Sequence, residues 1–128
     1  MKEKTVKAIK VEPNKRPYVI DLNTDLDSLQ KAVSIGADYQ GLIEFVYLED
    51  NASILCNEEG KLIGLTPNRR LGNDILCGVF YVVAENDEGE LISLTQDQQN
   101  RYSKMFWDPD AISKDEIGRT IFSVFIGG

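Results

Sequence analysis

The sequence predicts an α+β fold: a mainly antiparallel sheet of about five to seven strands with two or three helices packed on it. Three observations carry that expectation. Short stretches of alternating apolar and polar residues follow one another with only brief turn clusters between them, the mark of strands joined as hairpins. Helical spacing recurs behind capping residues near positions 24 and 95, which predicts helices there. One run, residues 75–84, is apolar on both faces and reads as the central strand. No linker or internal repeat divides the 128 residues, so residues 1–128 are expected to form one domain.

Thr5–Val11 is rich in β-branched residues and ends at Glu12-Pro13-Asn14, a turn signal. In residues 17–23, Tyr18, Ile20 and Leu22 alternate with a more polar set. The short connection between the two runs predicts an antiparallel hairpin. Asn23 or Thr24 can cap a helix, with Asp25 and Asp27 in its first turn, where the helix dipole favours acids. Leu26, Leu29 and Val33 then share one face, and Gly36 ends the pattern. A helix of about three turns is expected.

Residues 41–48 read as a strand with Ile43, Phe45 and Tyr47 on one face. Glu49-Asp50-Asn51 is a polar turn, and Ala52–Asn57 a second strand. Glu59-Gly60 reads as a hairpin-type turn, residues 62–65 as a short strand or extended arm, and Pro67 as the end of any ladder there. Residues 75–84 follow as a single strand. Gly78 within it marks a bulge or the close approach of another group.

Asp87-Glu88-Gly89-Glu90 is a turn and residues 91–94 a short returning strand. Thr95-Gln96-Asp97-Gln98 matches a capping box. The helix behind it is expected to bury Tyr102, Met105 and Phe106, with Trp107 near its end and off that face. Asp108-Pro109-Asp110 stops it. Ser113-Lys114-Asp115-Glu116 is a further capping signal, and residues 121–126 alternate like a strand.

Composition narrows the function. With 42% hydrophobic and 27% charged residues, the chain reads as an ordinary globular protein. Its net charge of -7 disfavours direct nucleic-acid binding, which draws on clustered Lys and Arg, and favours basic protein partners. The chain has no histidine, so it lacks the commonest general base and the commonest transition-metal ligand. Cys56 and Cys77 sit inside apolar runs and are expected to be buried free thiols. No cofactor and no metal is expected. No signal-like or membrane-spanning stretch is apparent, and a cytoplasmic location is expected.

The residues that stand out for binding lie between positions 57 and 71. Gly60 and Gly64 allow sharp turns or close approach to a ligand. Asn57 and Asn68 offer donors and acceptors. Lys61, Arg69 and Arg70 concentrate positive charge in a net-acidic chain, and Arg suits bidentate capture of phosphate or carboxylate. If these groups emerge beside the sheet end, Asn57, Lys61, Asn68, Arg69 and Arg70 make a small anion-binding pocket. The plain alternative is a solvated turn at residues 58–61, with Arg69 and Arg70 paired to local carboxylates such as Asp74. Glu44, Glu49, Asp50, Glu58 and Glu59 form an acidic group around neighbouring strands; surface solubility is its simplest role.

The run Cys56-Asn57-Glu58-Glu59-Gly60-Lys61-Leu62-Ile63-Gly64-Leu65, followed by Asn68-Arg69, resembles a bacterial and phage family, the domain of unknown function (family 3846). Val11-Glu12-Pro13, the Leu26-to-Val33 helix, Ile75-Leu76-Cys77-Gly78 and Leu94-Thr95-Gln96-Asp97-Gln98 fit the same pattern. The resemblance covers roughly residues 5 to 100 and leaves out the tail from Trp107. It implies no defined chemistry. It implies cargo of phages and conjugative elements in Gram-positive bacteria, where small acidic proteins often block host defences. Two expectations follow. The first is a non-enzymatic binding protein, possible as a homo-oligomer, that sequesters a small anionic, nucleotide-derived signal. The second is an acidic inhibitor that occludes a basic surface of a host defence protein. A small metal-dependent enzyme acting on nucleotides is a third and less supported reading.

Overall fold

The computed structural model describes residues 4–113 and 115–118. The order is β1 (Thr5–Val11), β2 (Tyr18–Asn23), α1 (Leu26–Ala32), β3 (Ile43–Glu49), β4 (Ala52–Asn57), β5 (Pro67–Leu71), β6 (Asp74–Cys77), β7 (Phe80–Glu85), β8 (Leu91–Ile92) and α2 (Gln96–Met105). A helical turn follows at residues 115–118. The fold is α+β, and every strand pairing among the described residues is antiparallel. The main sheet has six strands in the order β2-β1-β7-β4-β3, with β8 added to β7. β5 and β6 form a separate two-stranded sheet. The strand expected at residues 121–126 lies outside the described residues.

β7 is central because it can be buried on both faces: Phe80 to Ala84 are all buried. Its alternation sends Phe80 and Val82 to one side, where they meet Ile9, Ile54 and the α2 residues Tyr102 and Phe106. The Phe80 and Phe106 rings meet edge to face with centroids 5.1 Å apart. Tyr81 and Val83 point to the other side, against Leu29 and Val33 of the α1 region. The Tyr81 hydroxyl donates to Ala32 O at 3.0 Å, so a buried phenol keeps a partner.

The β1–β2 hairpin forms with Ile9 opposite Val19 and Val6 opposite Leu22. Asn14 in its turn takes a left-handed φ of 64°, which Asn tolerates. Beside that turn, the Tyr18 hydroxyl donates to the Glu12 carboxylate at 2.6 Å, and Lys15 pairs with it at 3.0 Å. The Tyr18 bond above all, then Lys15, holds the Glu12 carboxyl down to about 2 from 4.5. A carboxylate depressed in the folded state stabilises it above its unfolded pKa. That contribution is present above pH 4.5 and lost as the pH falls toward 2. Tyr18→Phe is therefore expected to raise the Glu12 midpoint toward 4.5 in a carboxyl NMR titration and to start acid unfolding at higher pH. An unmoved Glu12 midpoint would refute the assignment.

Several elements differ from expectation for identifiable reasons. α1 spans seven residues, two turns rather than three. Its cap is Asp25, whose Oδ1 accepts from Ser28 N–H at 2.9 Å. Thr24 still belongs to the strand end, its N–H donating to Lys4 O at 3.0 Å. Residues 62–65 are not a strand. They belong to a compact turn in which Ile63 N–H donates to Glu59 O and Leu65 N–H to Gly60 O, each at 3.0 Å. Pro67 does not end a ladder but opens β5, a position where its missing N–H costs nothing. The apolar run 75–84 is two strands in two sheets. It breaks at Gly78, whose φ of +84° no central strand residue adopts.

The capping box at Thr95 and Gln98 is complete, and α2 buries Tyr102 and Phe106. Met105 is half exposed rather than buried. The Gln98 side chain donates to Asp50 O at 2.8 Å and the Tyr102 hydroxyl to Glu49 O at 3.2 Å. These bonds dock α2 on the tight turn between β3 and β4. Ser113 Oγ accepts from Glu116 N–H at 3.2 Å, as its capping signal predicts. No helix among the described residues is long and apolar enough to cross a membrane.

Candidate functional site: an acidic cleft between two sheets

A concavity lies where the main sheet meets the β5–β6 hairpin. It has a volume of about 300 Å³, at the small end of ligand sites. Glu44 and Val46 enter it from β3, Cys56 and Asn57 from β4, residues 58–62 from the turn, and Leu71 and residues 74–77 from the hairpin. Side chains of alternate parity leave β3 on opposite faces, so Glu44 and Val46 reach the cleft while Phe45 and Tyr47 do not.

The turn is held against the hairpin by close packing. Asn57 is buried; its Oδ1 accepts from Glu59 N–H at 2.9 Å, the bond of an Asx turn. Its amide nitrogen donates to Val33 O at 3.4 Å. Gly60 lies against the backbone of β6: a Cβ there would stand 2.7 Å from Cys77 O. Glycine at this position therefore lets two backbones meet. The Lys61 ammonium bonds to the Asp74 carboxylate, which also accepts from Ile75 N–H at 2.8 Å.

The lining is acidic. Glu44, Glu58, Glu59 and Asp74 contribute carboxylates, against Lys61 as the one cation among the described lining residues. Because Lys61 is already engaged by Asp74, the cleft presents negative potential over an apolar floor of Val46, Leu71, Ile75 and Leu76. Such a site suits an ammonium or guanidinium group with an aliphatic stem. Cys56 and Cys77 also line it, as free, buried thiols. Burial first, and then the Glu44 carboxylate, push the Cys56 thiol up to about 12; burial raises Cys77 as well. Neither is therefore an activated nucleophile. Among the described residues no cluster of three or more acidic or cysteine side chains is arranged to hold a metal ion.

The five residues expected to form one anion pocket do not come together. Asn57 and Lys61 line the cleft. Asn68 and Arg69 are both buried, each 1% exposed. The register of β5 against β6 slips between Pro67 and Arg69. Such a bulge lets two successive side chains leave on one side. Asn68 Nδ2 donates to Val11 O and Gly78 O, each at 2.9 Å. The Arg69 guanidinium donates to Phe106 O at 3.1 Å, to Asn68 Oδ1 at 2.8 Å and to Lys15 O. Burial pushes its pKa downward, yet its donors are spent on the fold. Arg70 points elsewhere: it binds Glu116 at 2.6 Å and the Ala111 carbonyl at 2.9 Å. Arg70 does pair with carboxylates, but with Glu116 and Asp110, and Asp74 goes to Lys61 instead.

Glu44 and Asp74 were visible as carboxylates in the sequence, and the parity of β3 already separated Glu44 from Phe45. Their convergence needed the second sheet. Trp107 is partly exposed, and Arg16 stacks over its ring at 4.8 Å.

Fold and site together define a small antiparallel α+β domain with an acidic, partly apolar cleft. The chain belongs to the family described as domain of unknown function DUF3846, whose sequence model matches residues 6–107. That span runs from β1 to just past α2 and includes every lining residue of the cleft. It excludes Asp110 and Glu116, the partners of Arg70. No curated protein and no solved structure matches the chain.

Proposed function

We propose that this chain is a non-enzymatic binding protein whose acidic cleft receives a cationic group of a partner protein. In the setting that its family resemblance implies, a phage or mobile element, the partner is a basic surface of a host defence protein that the domain covers. The observation that supports this reading is the cleft lining: four carboxylates against one lysine, and that lysine paired with Asp74. The net charge of -7 acts in the same direction, drawing a basic partner in by long-range attraction.

Sequestration of a nucleotide-derived anion draws less support. Of its three expected cations, Arg69 is spent on backbone carbonyls, Arg70 on Glu116 and Lys61 on Asp74.

The test is a charge reversal. The combined variant Glu44→Lys, Glu58→Lys and Glu59→Lys is expected to abolish protection of an infecting phage or entering plasmid in cells that carry the targeted defence. Arg70→Ala is expected to leave protection within about twofold, because the residue lies away from the cleft. Partner binding should also weaken steeply with salt. A stoichiometric ultraviolet-absorbing nucleotide released on denaturing the purified protein, with protection insensitive to the charge reversal, would overturn the proposal.

A further inference from the structure

β3 stands at the end of the main sheet, so no described strand pairs with its outer side. Its hydrogen-bonding parity follows from the register. Ile43 faces Asn57, and Glu58 N–H donates to Leu42 O at 3.0 Å. Even-numbered residues therefore bond inward to β4, and Ile43, Phe45 and Tyr47 turn their N–H and C=O groups outward. Natural edges are commonly blunted by Lys, by Pro or by shortness. β3 is seven residues long and contains neither Lys nor Pro. Its irregularity lies between Tyr47 and Glu49, beside the turn. Phe45 and Tyr47 are 42% and 69% exposed on one face, while Glu44 and Val46 line the acidic cleft on the other.

We propose that the outer edge of β3 takes up an extended segment of a basic partner as an added strand, one in which cationic and apolar side chains alternate. This deepens the cleft reading above and rests on it. In a ladder, directly opposed residues place their side chains on the same face. Residues opposite Glu44 and Val46 therefore reach the cleft side, where Glu58, Glu59 and Asp74 stand, and these are Lys or Arg. Residues opposite Phe45 and Tyr47 lie along the exposed rings and are apolar. Main-chain bonds supply affinity and the alternation supplies selectivity, as in other strand-addition sites. A second copy of this chain fits worse. Pairing two β3 strands about Val46 would leave the cleft carboxylates without counter-charge, and each copy carries a charge of -7.

The experiment uses the full chain and fluorescein-labelled peptides read by anisotropy at low salt. The first peptide alternates Lys and Val. The second has the same composition in two blocks, and the third is N-methylated on alternate amides, prepared in both parities. The alternating peptide is expected to bind at least about tenfold more tightly than the block peptide and than the N-methylated form that blocks the bonding edge, a difference of about 1.4 kcal/mol. Tyr47→Lys, at an exposed site, is expected to impose a similar loss with an unchanged Tm. Equal binding of all peptides overturns the added strand. If Glu58→Gln with Glu59→Gln then still weakens every peptide, the cleft reading survives that failure. If no peptide binds and the glutamates are without effect, both fall. A dimer in sedimentation that Tyr47→Lys dissolves would overturn the proposal in favour of a second copy.

Discussion

Arg69→Ala is expected to destabilise the domain by about 3–5 kcal/mol, from lost hydrogen bonds to buried acceptors together with the cavity the side chain leaves. The side chain is 1% exposed and ties β5 to two distant parts of the fold: Nε donates to Phe106 O at the end of α2 and Nη2 to Lys15 O in the first hairpin loop, while Nη1 donates to the neighbouring Asn68. Truncation leaves the buried Phe106 carbonyl and Asn68 Oδ1 without these donors, at roughly 1–3 kcal/mol for each group that water cannot reach. It also opens a large cavity. In a thermal melt the Tm should fall by about 10–20 °C at this chain length. Arg69→Met restores most of the volume but none of the donors, so it should recover only part of the loss. A Tm within a few degrees of the parent for Arg69→Ala would refute the anchoring role. It would also return Arg69 to consideration as a ligand-binding residue.

Gly78→Ala is the second large effect, about 2–4 kcal/mol. Two costs combine. At φ +84° an L side chain is strained by roughly 1–2 kcal/mol. A Cβ there would also stand 2.7 Å from Leu65 Cδ1, which forces repacking in a small cluster of Leu65, Ile75 and Cys77. Gly78 also carries the junction between the sheets: its N–H donates to Thr66 O at 2.7 Å and its carbonyl accepts from Asn68. The urea midpoint should drop with little change in m-value. The β5–β6 hairpin should lose hydrogen-exchange protection first, since the strain falls at its base. Gly64→Ala is the control. It also has positive φ, at 77°, but nothing stands within 4 Å of the added Cβ, so it should cost only the backbone term.

Gly78 was legible in part, as a place where another group comes close, whereas the burial of Arg69 was not. Thr95 and Gln98 satisfy each other across three residues, and the first hairpin closes over a short connection. Asp50 and Asn51 make a turn that needs only their tolerance of positive φ. All three depend on neighbours in the chain, so spacing and residue type were enough to read them. The central position of β7 was legible for a similar reason, since a strand apolar on both faces has no solvent side to offer.

The binding residues were less legible. In sequence, Asn68, Arg69 and Arg70 look alike as polar groups in an apparent loop. A single register slip in β5 turns the first two into the core and leaves the third on the surface. Nothing local signals that slip, because it depends on pairing with β6 and on carbonyls contributed by Val11, Lys15 and Phe106. The acidic character of the site was hidden for the opposite reason. Glu44 and Asp74 lie 30 positions apart and meet only because the second sheet folds back over the end of β3 and β4.

By itself, then, the amino-acid sequence determined the fold class, the first hairpin, the β3–β4 turn, the capping box of α2, the burial of residues 80–84 on both faces and a net charge that favours basic partners. Tertiary structure alone decided that Asn68 and Arg69 anchor the fold while Arg70 stays on the surface, and that the nearby cleft is acidic. The physical reason is range. Capping, turn chemistry and alternation act between residues a few positions apart, whereas burial of a charge depends on which distant carbonyls and carboxylates the completed packing brings to it.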